Sequence, residues 1–576
     1  MFNYKKQFFV LFLIITAACG GKTSTLVESN PPAGDPLSPD GIVSPQEESF
    51  SPSHALSFVV EESNNPYGLF TNPTHQLYWM DIRDPSTLTR LTDGIISFLE
   101  GPQWNPQGDG LVYLFKDSVH PYETYLMAFL DPSLNSPLLM GSSLNDVGYF
   151  ESSKWSPDGQ WLAYSASLDG NSEHIYLVDR EGDITIINPD LVEDIGDIFW
   201  SPLGDQIAFI SDRSGFDQVY VYDLTSGLVS GPLGASLIDG NEHVTNFRWA
   251  PDGESIVYIA DLDLVTKNEL YQINLDSPEV ATKLNSPFAD DYDIKAFNWS
   301  PQGNYLAYVR SSQIPYDLDG DGFADGLNPV DRLYLYSVVD HTSTLVNTIF
   351  QNLDGSARRI GFFYWSPTGD YLAYTIDAEE EDSIDIYLVD TLANSIKITD
   401  PSPPGYFIQY ARWSPDGSFL GYIRHNFTNP HIRELLVYDL VNHNDKTVSV
   451  DVEGVVSTLR GVLSFAWNPD SSKIAYYSDS LERGVFELFL IDLSSGIGKK
   501  LNRDLSDLED VAANFRWSPD GKALAYGIEH PVEGSWAYLY WPETEVTLSI
   551  NSLWEEASLV RPVMREFRFS PVGWEE

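Results

Sequence analysis

The chain has 576 residues and carries 84 acidic against 33 basic side chains, for a net charge of -51. Such a surface repels phosphate backbones and anionic membrane faces, which excludes nucleic acid as a partner and favours cations and basic ligands. Hydrophobic residues make up 43%, ample for a core; 32 Tyr and 30 Phe favour strands, and a single cysteine excludes an intramolecular disulfide.

At the N-terminus, Lys5 and Lys6 precede an apolar run from Phe8 to Ile15 that is too short to span a bilayer. Small residues Ala17-Ala18 follow, then Cys19, which completes the layout of an export signal. The stretch I-T-A-A-C-G resembles the lipobox of bacterial lipoproteins, although Thr16 stands where that family usually has Leu. The resemblance implies a signal peptide over residues 1–18 and lipidation at Cys19, with export to the periplasmic or outer face of the envelope. Residues 19–49 are rich in Pro, Ser and Gly; they cannot bury apolar surface and read as a disordered tether.

From residue 50 onward one piece of punctuation recurs. It is W-N-P-Q-G at Trp104, then W-S-P-D-G or a close variant at Trp155, Trp200, Trp249, Trp299, Trp365, Trp413, Trp467 and Trp517. Worn copies begin at Phe50 and Phe569. The spacing of roughly 45–66 residues is that of propeller blades or solenoid repeats. Ser-Pro-Asp-Gly supports a type I turn, so each motif joins a strand ending in Trp to one carrying L-A-Y, such as Trp161-Leu162-Ala163-Tyr164. A third strand ends in Asp, as in Gln218 to Asp223, and a weaker fourth follows, as in Ile396 to Thr399. Four short antiparallel strands per repeat make a propeller blade. An aromatic fixed at one repeat position is what packing between neighbouring blades requires, so the Trp residues read as core and not as a sugar-binding strip.

Ser211-Asp212-Arg213-Ser214-Gly215, the strand from Gln218 to Asp223 and the W-S-P-D-G motif together resemble the TolB-type, WD-repeat-like propeller repeat. The resemblance covers residues 50–576 and implies protein partners in the envelope. The chain departs from TolB in lacking the small α/β domain that precedes the propeller there. It also lacks the G-x-S-x-G of prolyl-oligopeptidase-type hydrolases. The expected fold is all-β: a β-propeller of about ten four-stranded blades. Leu56 to Val60 reads as a second strand without a first, and Arg565 to Phe569 as a first without a second. Pairing them would close a single large ring, with two smaller rings as the alternative.

One constellation carries chemistry. Asp317, Asp319, Asp321 and Asp325 fall at positions 1, 3, 5 and 9 of a loop with Gly322 at position 6, an oxygen cage suited to a hard cation. The backbone carbonyl of Phe323 would add a ligand. Asn328 replaces the terminal Glu of an EF-hand, and the pattern resembles the hairpin sites in integrin α propellers, which implies structural Ca²⁺. The ten His show no metal-binding pairing. The expected function is a monomeric, membrane-tethered, non-enzymatic binding or scaffold lipoprotein that recognises an envelope protein or extracytoplasmic ligand through its loops. The alternative is a calcium-assisted hydrolase or lyase acting on an extracytoplasmic substrate.

Overall fold

The computed structural model describes the strands and tight turns between Ala55 and Ile550; residues 1–54, 551–576 and the longer inter-strand loops lie outside the described residues. The described residues form antiparallel strands and turns only. Seven consecutive repeats, from residues 149–186 to residues 406–447 and again at 462–500, are separate four-stranded sheets with strands in chain order. We number these blades 3 to 9. Blade 10, residues 510–549, has its first strand broken into Asp510–Val511 and Arg516–Trp517, both paired with Leu524–His530.

The first two repeats are joined. Blade 1 contributes Ala55–Glu62, Thr74–Asp81 and Asp84–Arg90, and blade 2 spans residues 95–140. A single pairing of His75 with Ile95 merges them into one seven-stranded sheet. The ten repeats counted from the motif are therefore all present as sheet. Blade 1 has the three strands expected of a blade awaiting a first strand; the proposed donor, Arg565 to Phe569, lies outside the described residues. Between blades 8 and 9 sits a small hairpin, Val450–Val452 with Val455–Ser457, that no motif announces.

The motif turn is built as its residues dictate. In blade 3, Gly159 N–H donates to Ser156 O at 2.8 Å and the Ser156 hydroxyl donates to Asp158 at 2.5 Å. The same hydroxyl oxygen accepts the Trp161 N–H at 3.0 Å, which locks the start of the next strand. Successive turns also pack on each other. A methyl group added at Gly417 would meet Thr368 of the preceding turn at 3.1 Å, and the φ of 73° there already disfavours a side chain.

In blades 3 to 7, 9 and 10 the second strand places one aromatic against another on the third. Tyr164 stacks on Tyr176 at 5.0 Å, Tyr308 on Tyr334 at 5.2 Å and Tyr526 on Tyr538 at 5.2 Å. Burial pushes the hydroxyls of Tyr164, Tyr308 and Tyr526 well above the ordinary phenol range. The apolar core lies between sheets and not within them. Val219 and Val221 of blade 4 pack on Phe247, Ile256 and Tyr258 of blade 5, and the arrangement repeats from each blade to the next.

The motif tryptophans carry the second inter-blade bond. Six of the indole N–H groups reach back to the backbone carbonyl just ahead of the preceding motif, whereas the buried indole N–H of Trp299 has no hydrogen-bond partner among the described residues. Trp200 donates to Lys154 O at 3.0 Å, Trp249 to Phe199 O at 3.1 Å and Trp365 to Asn298 O at 3.3 Å. Trp413, Trp467 and Trp517 do the same to Tyr364, Arg412 and Ala466 at 3.2, 3.2 and 3.3 Å. First strands of neighbouring blades are therefore stitched side by side from blade 3 to blade 5 and from blade 6 to blade 10, with each sheet running outward from them to its fourth strand.

The first strand also carries a recurrent irregularity. In blades 3 to 9 its register against the second strand slips about four residues ahead of the Trp, as between Val244 and Asn246 or Val462 and Ser464. Such a bulge bends the strand and re-aims the residues that follow it.

Acidic residues at the head of the third strand hold the blade to its surroundings. Asp331 pairs with Lys295 at 2.9 Å and accepts the Ile360 N–H of blade 7 at 3.1 Å. Asp385 pairs with Lys397 at 2.7 Å, Glu487 with Lys500 at 2.9 Å, and Glu269 with Lys283. Arg503, between blades 9 and 10, grips Glu509 through two guanidinium nitrogens at 2.8 and 2.6 Å. That grip lowers the Glu509 carboxyl from its ordinary 4.5 to about 2.

Two outcomes follow. Trp413→Phe keeps the ring but loses the indole donor, and should cost about 1 kcal/mol in urea unfolding; Trp413→Ala should cost about 3–5 kcal/mol through the cavity as well. The depressed Glu509 carboxyl contributes stability that is complete above its ordinary pKa and lost as pH falls from about 4.5 towards 2. Melting temperatures measured across that window should therefore fall less steeply for Glu509→Gln than for the wild type.

Candidate functional site

The stitching of first strands defines an inner edge of the array. The residue directly before each motif Trp lies at this edge, and in six blades its carbonyl is held by the next indole. From blade 3 to blade 10 these residues are Lys154, Phe199, Arg248, Asn298, Tyr364, Arg412, Ala466 and Arg516. Four cations among eight positions stand out in a chain that has 33 in 576. The composition of the inner edge is thus opposite in sign to the molecule as a whole.

Two groups form there. In the first, the Phe199 ring lies between two cations, with Lys154 Nζ 5.4 Å and the Arg248 guanidinium 4.5 Å from its centroid. Arg248 is fixed by donating to Asn246 at 3.0 Å and to the Phe247 carbonyl at 2.8 Å. Together with Trp155, Trp200 and Trp249 these side chains line a cleft of about 250 Å³.

The second group lies on blades 7 to 10. The Arg412 guanidinium sits 4.8 Å over Tyr410, which meets Phe465 edge-on at 5.4 Å. Tyr364, about one-third exposed, stacks on Phe362 at 5.3 Å. Burial, and then the like charge of Arg412, bring the Arg516 guanidinium down to about 10. Burial raises the Tyr410 hydroxyl, while Arg412 and Arg516 pull it the other way. Two arginines from alternate blades thus share one neighbourhood with two tyrosines.

The residues singled out from the sequence lie elsewhere. Cys19 and the loop holding Asp317, Asp319, Asp321, Phe323 and Asp325 are outside the described residues. The strands flanking that loop are described, and they are longer than the motif spacing suggested. Tyr305–Tyr316 and Gly326–Ser337 run twelve residues each and pair without interruption up to Tyr316 opposite Gly326. The corresponding strand of blade 5 has six residues, so blade 6 extends a two-stranded ribbon with the Asp-rich loop at its tip. Among the described residues no group of three or more His, Cys, Asp or Glu could hold a metal ion. His174 contacts the Asn188 carbonyl at 3.0 Å and His425 packs against Phe407 at 4.7 Å, which are contacts within the fold.

The cationic inner edge is a feature that motif reading passed over, because the motif begins at the Trp. Its signal is nonetheless plain in the chain: K-W at Lys154, and R-W at Arg248, Arg412 and Arg516.

Stitched four-stranded sheets with first strands innermost define a β-propeller. Residues 141–313 match the family model of the TolB beta propeller domain. An uncharacterized protein of Agrobacterium fabrum is 28% identical over 180 residues, covering 29% of this chain and 56% of its own length. Dipeptidyl aminopeptidase B of Saccharomyces cerevisiae is 25% identical over 299 residues, covering 46% of this chain and 31% of that protein. The chain therefore spans about half or less of these curated relatives. A solved structure of a putative TolB from Agrobacterium tumefaciens is 20% identical and covers 51% of this chain and 94% of its own, with a TM-score of 0.26.

Removing the ring from the first cluster tests its weight. Phe199→Leu keeps apolar volume but discards both cation contacts, and should lower stability by about 1–2 kcal/mol in a denaturant titration.

Proposed function

We propose that this chain is an exported binding or scaffold protein, tethered through Cys19, whose propeller presents a recognition surface to an extracytoplasmic ligand or envelope protein. The observation that carries this reading is how the charged residues are distributed. The acids at the third-strand heads, such as Asp331, Asp385 and Glu487, are committed to fold-holding contacts. The inner edge, where a propeller exposes side chains from many blades at once, carries cations and aromatics suited to gripping a ligand. The TolB-type repeat supports an envelope setting, and the ribbon of blade 6 supports a structural role for its tip. There Asp317, Asp319, Asp321, Asp325 and the Phe323 carbonyl would hold Ca²⁺ and neutralise four mutually repelling carboxylates.

The test uses the full chain expressed in a bacterial host. Cys19→Ala should move the protein from the membrane to the soluble fraction; retention of the variant at the membrane would refute the tether. In calorimetric titration Ca²⁺ should bind the wild type in the millimolar range or tighter, and Asp321→Ala should abolish the heat. Capture of the same envelope protein by wild-type chain with and without chelator would show that the metal serves the fold and not the contact.

A further inference from the structure

The cleft of about 250 Å³ on blades 3 to 5 has walls of two chemical kinds. Trp155, Trp200, Trp249 and Ile198 supply apolar surface, while Lys154 and Arg248 flank the Phe199 ring at 5.4 and 4.5 Å. We propose that this cleft binds a small aromatic carboxylate, with its ring against the tryptophans and its acid group toward the two cations. The proposal rests on the binding-protein reading and names the chemistry that one part of its surface would take.

Size sets the first limit on the ligand. A cavity of roughly 150 Å³ already holds benzene. At 250 Å³ the cleft takes one ring with a short acid arm, and not the folded loop of a protein partner. Wall chemistry sets the second limit. The indole N–H groups of Trp200 and Trp249 donate to the Lys154 and Phe199 carbonyls at 3.0 and 3.1 Å, so these rings turn carbon toward the cleft. A sugar needs acceptors as well as donors for its hydroxyls. Among the described side chains lining the cleft the polar ones are Lys154 and Arg248, and both only donate.

Charge sets the third limit. The Arg248 guanidinium is anchored before any ligand arrives, because it donates to Asn246 at 3.0 Å and to the Phe247 carbonyl at 2.8 Å. Its planar fork matches the paired oxygens of a carboxylate, and the Lys154 ammonium on the other side of Phe199 adds a second positive charge. Among the described residues lining the cleft none is acidic. The net charge of -51 acts from further away, and salt screens exposed charges beyond about 8 Å at physiological ionic strength. A monoanion entering the cleft therefore meets first the two cations on its walls.

The test is calorimetric titration and thermal melting of the full chain with four probes: phenylacetate, phenylacetamide, acetate, and an N-acetylated tripeptide ending in a free Phe. Phenylacetate should bind and raise the melting temperature. The amide has the ring without the charge, and acetate the charge without the ring; each should bind at least about tenfold more weakly. Arg248→Gln should weaken phenylacetate binding at least about tenfold, and Lys154→Gln less, since an ammonium offers no paired donors. Lys154→Gln removes only the longer of the two ring contacts, so a variant that melts like the wild type yet binds less reports on the cleft and not on folding. No binding of phenylacetate, equal binding of its amide or of acetate, unchanged affinity in both variants, or tighter binding of the peptide would overturn the proposal. Membrane fractionation and partner capture by the Arg248→Gln chain would still report on the tethered scaffold independently.

Discussion

The architecture depends on one directional contact, made six times: an indole N–H donated to the backbone carbonyl that precedes the last blade's own indole. Apolar packing alone would bring the sheets together, but it is tolerant of sliding and rotation. A hydrogen bond to a fixed carbonyl is not. By tying first strand to first strand at one residue per repeat, Trp200, Trp249, Trp365, Trp413, Trp467 and Trp517 set the stagger between neighbours. The stacked motif turns and the aromatic pairs then fall into line with it. The same contact determines what the molecule shows along its inner edge, because the residue whose carbonyl is held is the residue that lies there.

Much of this was legible in the chain before any coordinates. The motif marked every hairpin between first and second strands, the L-A-Y and Asp-ending segments marked the next two, and the count of ten repeats matches the sheets. What escaped reading was of a different physical kind. The recurrent bulge, as between Val244 and Asn246, arises from register against a partner strand and leaves no composition of its own. The union of blades 1 and 2 through His75 and Ile95 is a single long-range pairing between segments with no shared pattern. The small hairpin at Val450–Ser457 is too short to show alternation. The extension of blade 6 was half visible: the Asp spacing gave the tip, but the continuous pairing of Tyr305–Tyr316 with Gly326–Ser337 includes Pro315 and Pro329, residues that argue against strand when read singly.

The inner edge teaches a related point. Lys154, Arg248, Arg412 and Arg516 are adjacent to the most conspicuous residues of the chain, yet each alone reads as an ordinary surface cation. Only when the blades are set side by side do they become one strip. Function in repeat proteins is often written this way, across repeats at one register position, and so along an axis that runs at right angles to the sequence.

Because the six indole bonds all point backward along the chain, the array has a head and a tail even though its blades look alike. At the two sequence margins the motif carries Phe50 and Phe569, whose rings have no N–H to give. Trp104 accordingly departs from the pattern and donates to the Ser57 hydroxyl at 2.9 Å. Under tension, the junction between blades 5 and 6, where the Trp299 indole makes no such bond, would part before the stitched neighbours on either side of it.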